Sequence, residues 1–531
     1  MFVYDLYLII PILFLTAVVT VYRRYRHAKS RFPPGPAPLP IVGNLFQVPR
    51  EDPERHYNKW KEVYGPIMYF RIFRKQFVVL NDRRVILDLL EKRCSIYSSR
   101  PEAPMAKLAG RDKTALFLPA GHRSKETRKL MLSFLGPRSD GVYLPVIETE
   151  THRFLYRLLR NPGNFYADIK SLPAASILRL IYGYQVNNVD DYFIELSEKL
   201  GRITAESTQT GRWLVDAIPS NTVRHLPSWL PGMQFKIWAE NARAKCEAFM
   251  RIPHEYVKSS MATGKFLPSF TSYNLQKQAR LNEEAEEILM YAAASLYAGA
   301  TDTASCFISH PEDLLTRSQM VSVLKLFFLM MALHPEVQAC AQREIDQQIG
   351  DDRPPCASDL EFMPYITCIF KELLRFNPVG PIIIHSPDKD DVYEGYTIPK
   401  GCWILANVWS ILKDPAMYPQ PDSFIPERFD KRSGEVQPDP DSFIFGFGRR
   451  VCPGQHFAEK ALCMAMASIL WGFNVTPERD LNGRPVLPEM AFSKGLVVHP
   501  LPFRCSITPR SPKAAAIMEE LAKSAECEKA Q

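Results

Sequence analysis

Residues 445 to 455 read FGFGRRVCPGQ and run directly into HFAEKALCMAMASILWGF, an amphipathic helical stretch. A structural cysteine sits inside an apolar periodic run, whereas Cys452 lies among glycines, arginines and a proline, in a loop suited to backbone contortion. At a helix N-terminus, beside Arg450 and in front of free backbone N–H groups, its thiol is expected to be pushed toward thiolate. A thiolate serves as a nucleophile or a metal ligand, and His456 on the next helical turn keeps the first option open. One thiolate cannot hold zinc alone. It can hold a haem iron whose in-plane ligands come from the porphyrin, with the glycines letting the loop lie flat against the ring and Arg450 meeting a propionate.

The rest of the chain narrows the field. At 531 residues it can bury a large core, and its composition, 46% hydrophobic and 23% charged, is that of an ordinary globular protein. The net charge of +7 is concentrated: Arg23, Arg24, Arg26, Lys29 and Arg31 supply five of the seven, so nucleic acid is not an expected partner. The eleven cysteines include no C-x-x-C pair, which argues for a reducing compartment and against a disulfide framework or zinc ribbon.

Residues 1–22 carry a single charge, Asp5, and include the run LYLIIPILFLTAVVTVY. Basic residues follow this stretch instead of preceding it, so it reads as a retained membrane anchor and not a cleaved signal, with the remaining chain in the cytosol. Residues 23–44 then form a basic cluster and a proline-rich hinge. Alternation over 64 to 81 suggests a hairpin, helical periodicity dominates from about 120 to 375, and short strands return near 379 to 410 and 492 to 507. The expected architecture is mainly α with a minor β region: one large domain over 45–510, and a polar tail over 511–531 with room for one short helix.

The spacing of Phe445, Gly448, Arg450, Cys452 and Gly454, F-x-x-G-x-R-x-C-x-G, resembles the haem loop of the cytochrome P-450 monooxygenases. E-x-x-R at Glu372 to Arg375, followed by PERF at 426 to 429, extends the similarity from the hinge to about residue 510. The pattern is especially similar to fungal enzymes of secondary metabolism, the group that includes O-methylsterigmatocystin oxidoreductase. The resemblance implies the P-450 fold, haem b (heme b, iron protoporphyrin IX) ligated by Cys452, and a structural ion network of Glu372, Arg375 and Arg428 behind it. In SLYAGATDTAS, residues 295 to 305, it implies a groove for dioxygen at Gly299 and Ala300, with Asp302 and Thr303 as a catalytic proton relay.

The sequence departs from the family pattern in three places. Residues 305–320, CFISHPEDLLTRSQM with the preceding serine, interrupt the helix that carries Asp302 and Thr303, and deleting them restores an apolar periodicity. They are expected to be an in-frame intron retained in the gene model. The usual W-R-x-x-R is SKETR here, which keeps Arg128 and offers Lys125 as a substitute propionate contact. PVGPIIIHS, 378 to 386, is one residue short but keeps His385 as a further propionate partner.

Segments that correspond to the family's substrate loops, 100 to 120, 205 to 240, 295 to 303, 379 to 385 and 492 to 498, read as apolar and suggest a lipophilic small-molecule substrate. Trp229 and Leu230 are expected to dip into the bilayer. No flavin or nicotinamide fingerprint is visible, so electrons are expected from NADPH through a separate NADPH-cytochrome reductase, docked in part by Arg449, at the cytosolic face of the endoplasmic reticulum. The reading is a monooxygenase acting on a fungal metabolite such as a terpenoid or polyketide. Its rivals are a haem-dependent isomerase or dehydratase, and an inert haem-binding membrane protein.

Overall fold

In a computed structural model the described residues are 31–49, 51–186, 191–208, 212–213, 215, 226–277, 282–301, 319–434, 436–493 and 498–530. The proposed anchor, most of the basic cluster, Asp302, Thr303 and most of 305–320 lie outside them. Among the described residues no single helix is long and apolar enough to cross a membrane.

The longer helices, in chain order, are α1 (Pro53–Tyr64), α2 (His122–Leu135), α3 (Asp140–Arg160), α4 (Phe165–Tyr182), α5 (Tyr192–Thr208), α6 (Phe235–Ala262), α7 (Glu283–Thr301), α8 (Gln319–Leu333), α9 (Pro335–Ile349), α10 (Pro364–Phe376), α11 (Gln455–Gly472) and α12 (Pro512–Ala530). Proline opens several of them at the first turn, where its missing N–H has no partner to lose. Residues 320 to 332 of α8 are all buried, as expected of a helix that is apolar almost throughout, with Ser322 and Lys325 enclosed among them. Together with α4, α7, α10 and α11 it forms one continuous core.

A four-stranded sheet packs at one side. β1 (Ile67–Ile72) and β2 (Lys75–Leu80) make the expected hairpin, with Phe70 opposite Phe77. β2 pairs in parallel with β4 (Trp403–Asn407), and β3 (Ile382–His385) pairs antiparallel to β4 with His385 opposite Ile404. α1 covers this sheet through Tyr57, Phe70 and Trp403.

The C-terminal segment differs from the expected polar tail. α12 is a 19-residue helix that packs on α3 and α11, burying Ala514, Met518 and Ala522. Arg510 holds Asp346 of α9 in a bidentate pair at 2.9 and 2.7 Å, and Lys513 reaches Asp351 and Asp352. The buried residues fall at i, i+4 and i+8, but other apolar residues, Ala515, Ala516, Ile517 and Leu521, are scattered around the same helix, so the sequence shows no clean apolar face.

Candidate haem-thiolate site

The Cys452 loop is held by its own backbone. Cys452 N–H donates to Phe445 O at 2.7 Å and Arg450 N–H to Phe447 O at 3.0 Å. Gly448 sits at φ 52, its N–H donating to Glu91 at 2.8 Å, and a Cβ there would stand 2.5 Å from Leu90 O, so only glycine fits. At Gly454, the position before α11, a Cβ would stand 3.9 Å from Cys452 Sγ, so glycine leaves the approach to the sulfur bare. Phe445 packs against the core and Phe447 is fully buried within it.

Cys452 is exposed at the end of this loop, with Gly454 and Arg128 beside its thiol. Burial pushes its thiol above the ordinary range, and the backbone N–H of Gly454 and the charge of Arg128 only partly oppose this. The expected depression toward thiolate therefore does not arise from the protein alone. Arg450 is also not the cation beside the sulfur. Its Nε and Nη2 donate to Ser98 O and Leu118 O at 2.6 and 2.7 Å, while Arg128 is the charge nearest Cys452 and donates to Val451 O at 2.5 Å.

Arg450, Arg128 and Arg100 lie close enough that burial and mutual repulsion bring Arg450 down to about 9. Neither Arg128 nor Arg450 has an ion pair with a carboxylate among the described residues. His385, at the end of β3, is buried. Its Nδ1 bonds to Tyr97 O at 2.8 Å, while Nε2 is buried with no partner. Burial, then the charge of Arg100, brings His385 down to about 3. The half-buried Arg128 and buried Arg450 without acids, the orphaned imidazole nitrogen of His385 and the exposed Cys452 thiol fit a metal-bearing group with two carboxylates, which is the chemistry of haem with its propionates.

Two sequence expectations change here. The Lys125 side chain is exposed and makes no hydrogen bond or ion pair among the described residues, because Ser124, Thr127, Met131 and Leu135 set the inner face of α2 and Lys125 falls outside it. Arg100 was missed. It stands before Pro101 and donates to Ile384 O beside His385, and nothing local in the sequence links residue 100 to residue 384.

Glu372, Arg375 and Arg428 meet as an ion network. Arg375 Nε and Nη2 grip Glu372 at 2.7 and 3.0 Å, Arg428 Nε reaches the same carboxylate at 3.2 Å, and all three are buried. Their remaining N–H groups donate to Leu412, Pro421, Ser423, Pro419 and Gln420 carbonyls, pinning the loop that leads to Cys452 against α10. In the last turns of α7 a Cβ built on Gly299 meets no atom of the described residues within 4 Å. His456 pairs with Asp140 at 3.0 Å and so is not held as a base for Cys452.

This fold and this cysteine loop define a haem-thiolate class, and the comparisons agree. The cytochrome P450 family profile matches residues 33–507, and the chain belongs to that family. It is 38% identical to the cytochrome P450 monooxygenase claR of Ampulloclitocybe clavipes, over 94% of this chain and 91% of the relative. It is 36% identical to cytochrome P450 monooxygenase 208 of Postia placenta, over 96% of both. It is 37% identical to cytochrome P450 monooxygenase ppsD of Aspergillus oryzae, over 92% of this chain and 90% of that one. The protein is thus an oxidoreductase of the monooxygenase type, and membership implies a haem cofactor.

Proposed function

We propose that this chain inserts one oxygen atom from O2 into a lipophilic small molecule of fungal secondary metabolism, a terpenoid or polyketide, with electrons from NADPH through a separate membrane-bound reductase. The observation that carries the reading is the exposed Cys452 thiol in its F-x-x-G-x-R-x-C-x-G loop, with Arg128 beside it and Arg450 in the same loop, two cations with no acid of their own among the described residues.

In this reading Cys452 would hold the haem iron through its sulfur, and the metal's charge would favour the thiolate that burial otherwise disfavours. Arg128, Arg450 and His385 hold the propionates, with Arg100 beside them. Haem supplies dioxygen binding and activation. Gly299 leaves space for the gas, while Asp302 and Thr303 carry protons inward from solvent. The Glu372–Arg375–Arg428 network sets the loop's position and takes no part in proton transfer. Trp229, 79% exposed, is the residue of its loop offered to a bilayer, whereas Leu230 packs toward Met105 and Met233. Residues 1–22 form the anchor that brings the domain to the endoplasmic reticulum. The stretch 305–320 is retained intron sequence, though its last two residues already form the first turn of α8. A transcript containing those codons would overturn that last assignment.

The test is haem reconstitution of the chain with and without 305–320, followed by the reduced carbon monoxide spectrum. The shortened wild type is expected to show the red-shifted thiolate band and Cys452→Ser to lack it. A Cys452→Ser protein with an unchanged band would overturn the reading.

A further inference from the structure

The segment between Arg100 and Gly121 links the Cys452 loop to α7. Its Leu118 carbonyl accepts from Arg450 at 2.7 Å, and its Ala115 N–H donates to Ser295 Oγ at 3.1 Å, one turn before Gly299. The cations at its margins are matched. Lys113 and Arg123 both pair with Glu287 of α7, and Arg243 of α6 donates to the Leu108 and Lys107 carbonyls.

Arg111 in the middle of this loop is not matched. It is 3% exposed, and no carboxylate among the described residues pairs with it. One N–H donates to Thr204 Oγ1 of α5, whose own hydroxyl hydrogen goes to Leu200 O at 2.8 Å. The guanidinium faces the Phe117 ring at 5.7 Å, and its Nε is buried with no partner. The neighbouring thiol, Cys246 of α6, is pushed up by burial and stays neutral, so it does not balance the charge. A cation enclosed by a hydroxyl, a ring and a neutral thiol is costly unless an anion joins it. The stable arrangement of a guanidinium is a bidentate pair with a carboxylate.

We propose that Arg111 receives a carboxylate carried by an otherwise lipophilic substrate, and so selects acids over their esters. This rests on the monooxygenase reading and narrows its substrate class. Such an anchor would hold one end of the molecule near α5 and α6 and leave its hydrocarbon body to run toward Gly299.

The test uses haem-loaded, anchor-bearing protein whose reduced carbon monoxide band has first been verified. Absence of that band defeats the monooxygenase reading before any ligand is added. Affinities for dodecanoic acid, abietic acid and 4-phenylbutyric acid, and for their methyl esters, are then read from the ligand-induced Soret shift. Wild type is expected to bind at least one acid about 10- to 100-fold more tightly than its ester, the range of a charge-assisted pair. In Arg111→Met the preference should vanish while ester affinity stays within about 3-fold, about 0.7 kcal/mol or less. Arg111→Lys should retain part of it. Esters binding as well as acids to wild type, acid and ester weakening together in Arg111→Met, or no acid binding at all would each overturn the proposal. If Arg111→Met does not load haem, the comparison of wild type with Arg111→Lys decides: an unchanged acid-to-ester ratio overturns it and a reduced one supports it.

Discussion

The side chains around Cys452 show which needs a sequence can express. Glu372 accepts from Arg375, Arg428 and the Ile425 N–H, so Glu372→Gln would leave two buried guanidiniums facing a neutral amide. A loss of about 3 to 5 kcal/mol is expected, read as failure to retain haem on gel filtration and a lowered urea midpoint. Arg128→Ala or Arg450→Ala should instead leave the fold in place and weaken haem retention by about 10- to 100-fold, measured as transfer to an apoglobin acceptor. Cys452, Gly448 and the E-x-x-R pair were legible because each meets a local demand: a left-handed turn, a thiol at a helix start, an acid and a base one turn apart. His385 and Arg128 were legible only through resemblance. Arg100 was not legible, because its place depends on the bridge of Ser98 and Ser99 to Ser386, a contact across almost three hundred residues. The upward push of burial on the Cys452 thiol was not legible for a related reason: helix position is local, but burial is a property of the folded whole.

At the level of elements, amphipathic period carried most of the reading. The hairpin, the long central helices and α11 follow from it. α12 did not, because its fully buried residues among those described are only Ala514, Met518 and Ala522, with Ile517 packed beside them. Gly472 at the end of α11 admits this helix: a Cβ there would stand 3.1 Å from Met518 Sδ. Met518→Ala is therefore expected to destabilise the domain by about 2 to 4 kcal/mol, and removal of 511–531 by more, both visible as a lower thermal midpoint of the holoprotein. An undiminished midpoint after truncation would mean that α12 is only apposed to the core. The expectation also separates α12 from the haem site, since the carbon monoxide band of Met518→Ala should be normal at temperatures where it is folded.

For the molecule as a whole, the junction of α1 with the sheet predicts how stability depends on pH. Glu54 is 3% exposed, its Oε2 has no hydrogen-bond partner, and burial, with the charge of Asp52 adding to it, raises its carboxyl from an ordinary 4.5 to about 7. Its backbone carbonyl accepts from Asn407 at 2.9 Å, and Asn407 also reaches Asn81, so the side chain cannot swing to water without disturbing the contact between α1 and β4. The sign follows from proton counting. Between pH 4.5 and 7 the folded chain keeps the Glu54 proton while the unfolded chain has released it, so the native state binds more protons and stability falls as pH rises through this window. At about 1.4 kcal/mol per pH unit the full effect is about 3 kcal/mol, complete above pH 7 and absent below 4.5. Asp441, raised by burial to about 7, pulls in the same direction, so the wild-type curve alone does not isolate Glu54. The difference between wild type and Glu54→Gln does. The amide keeps the shape of the neutral acid, so the two proteins should unfold at similar urea concentrations near pH 5 and diverge toward pH 8, with Glu54→Gln the more stable. A constant difference across that range would mean that the Glu54 carboxylate finds water in the folded protein.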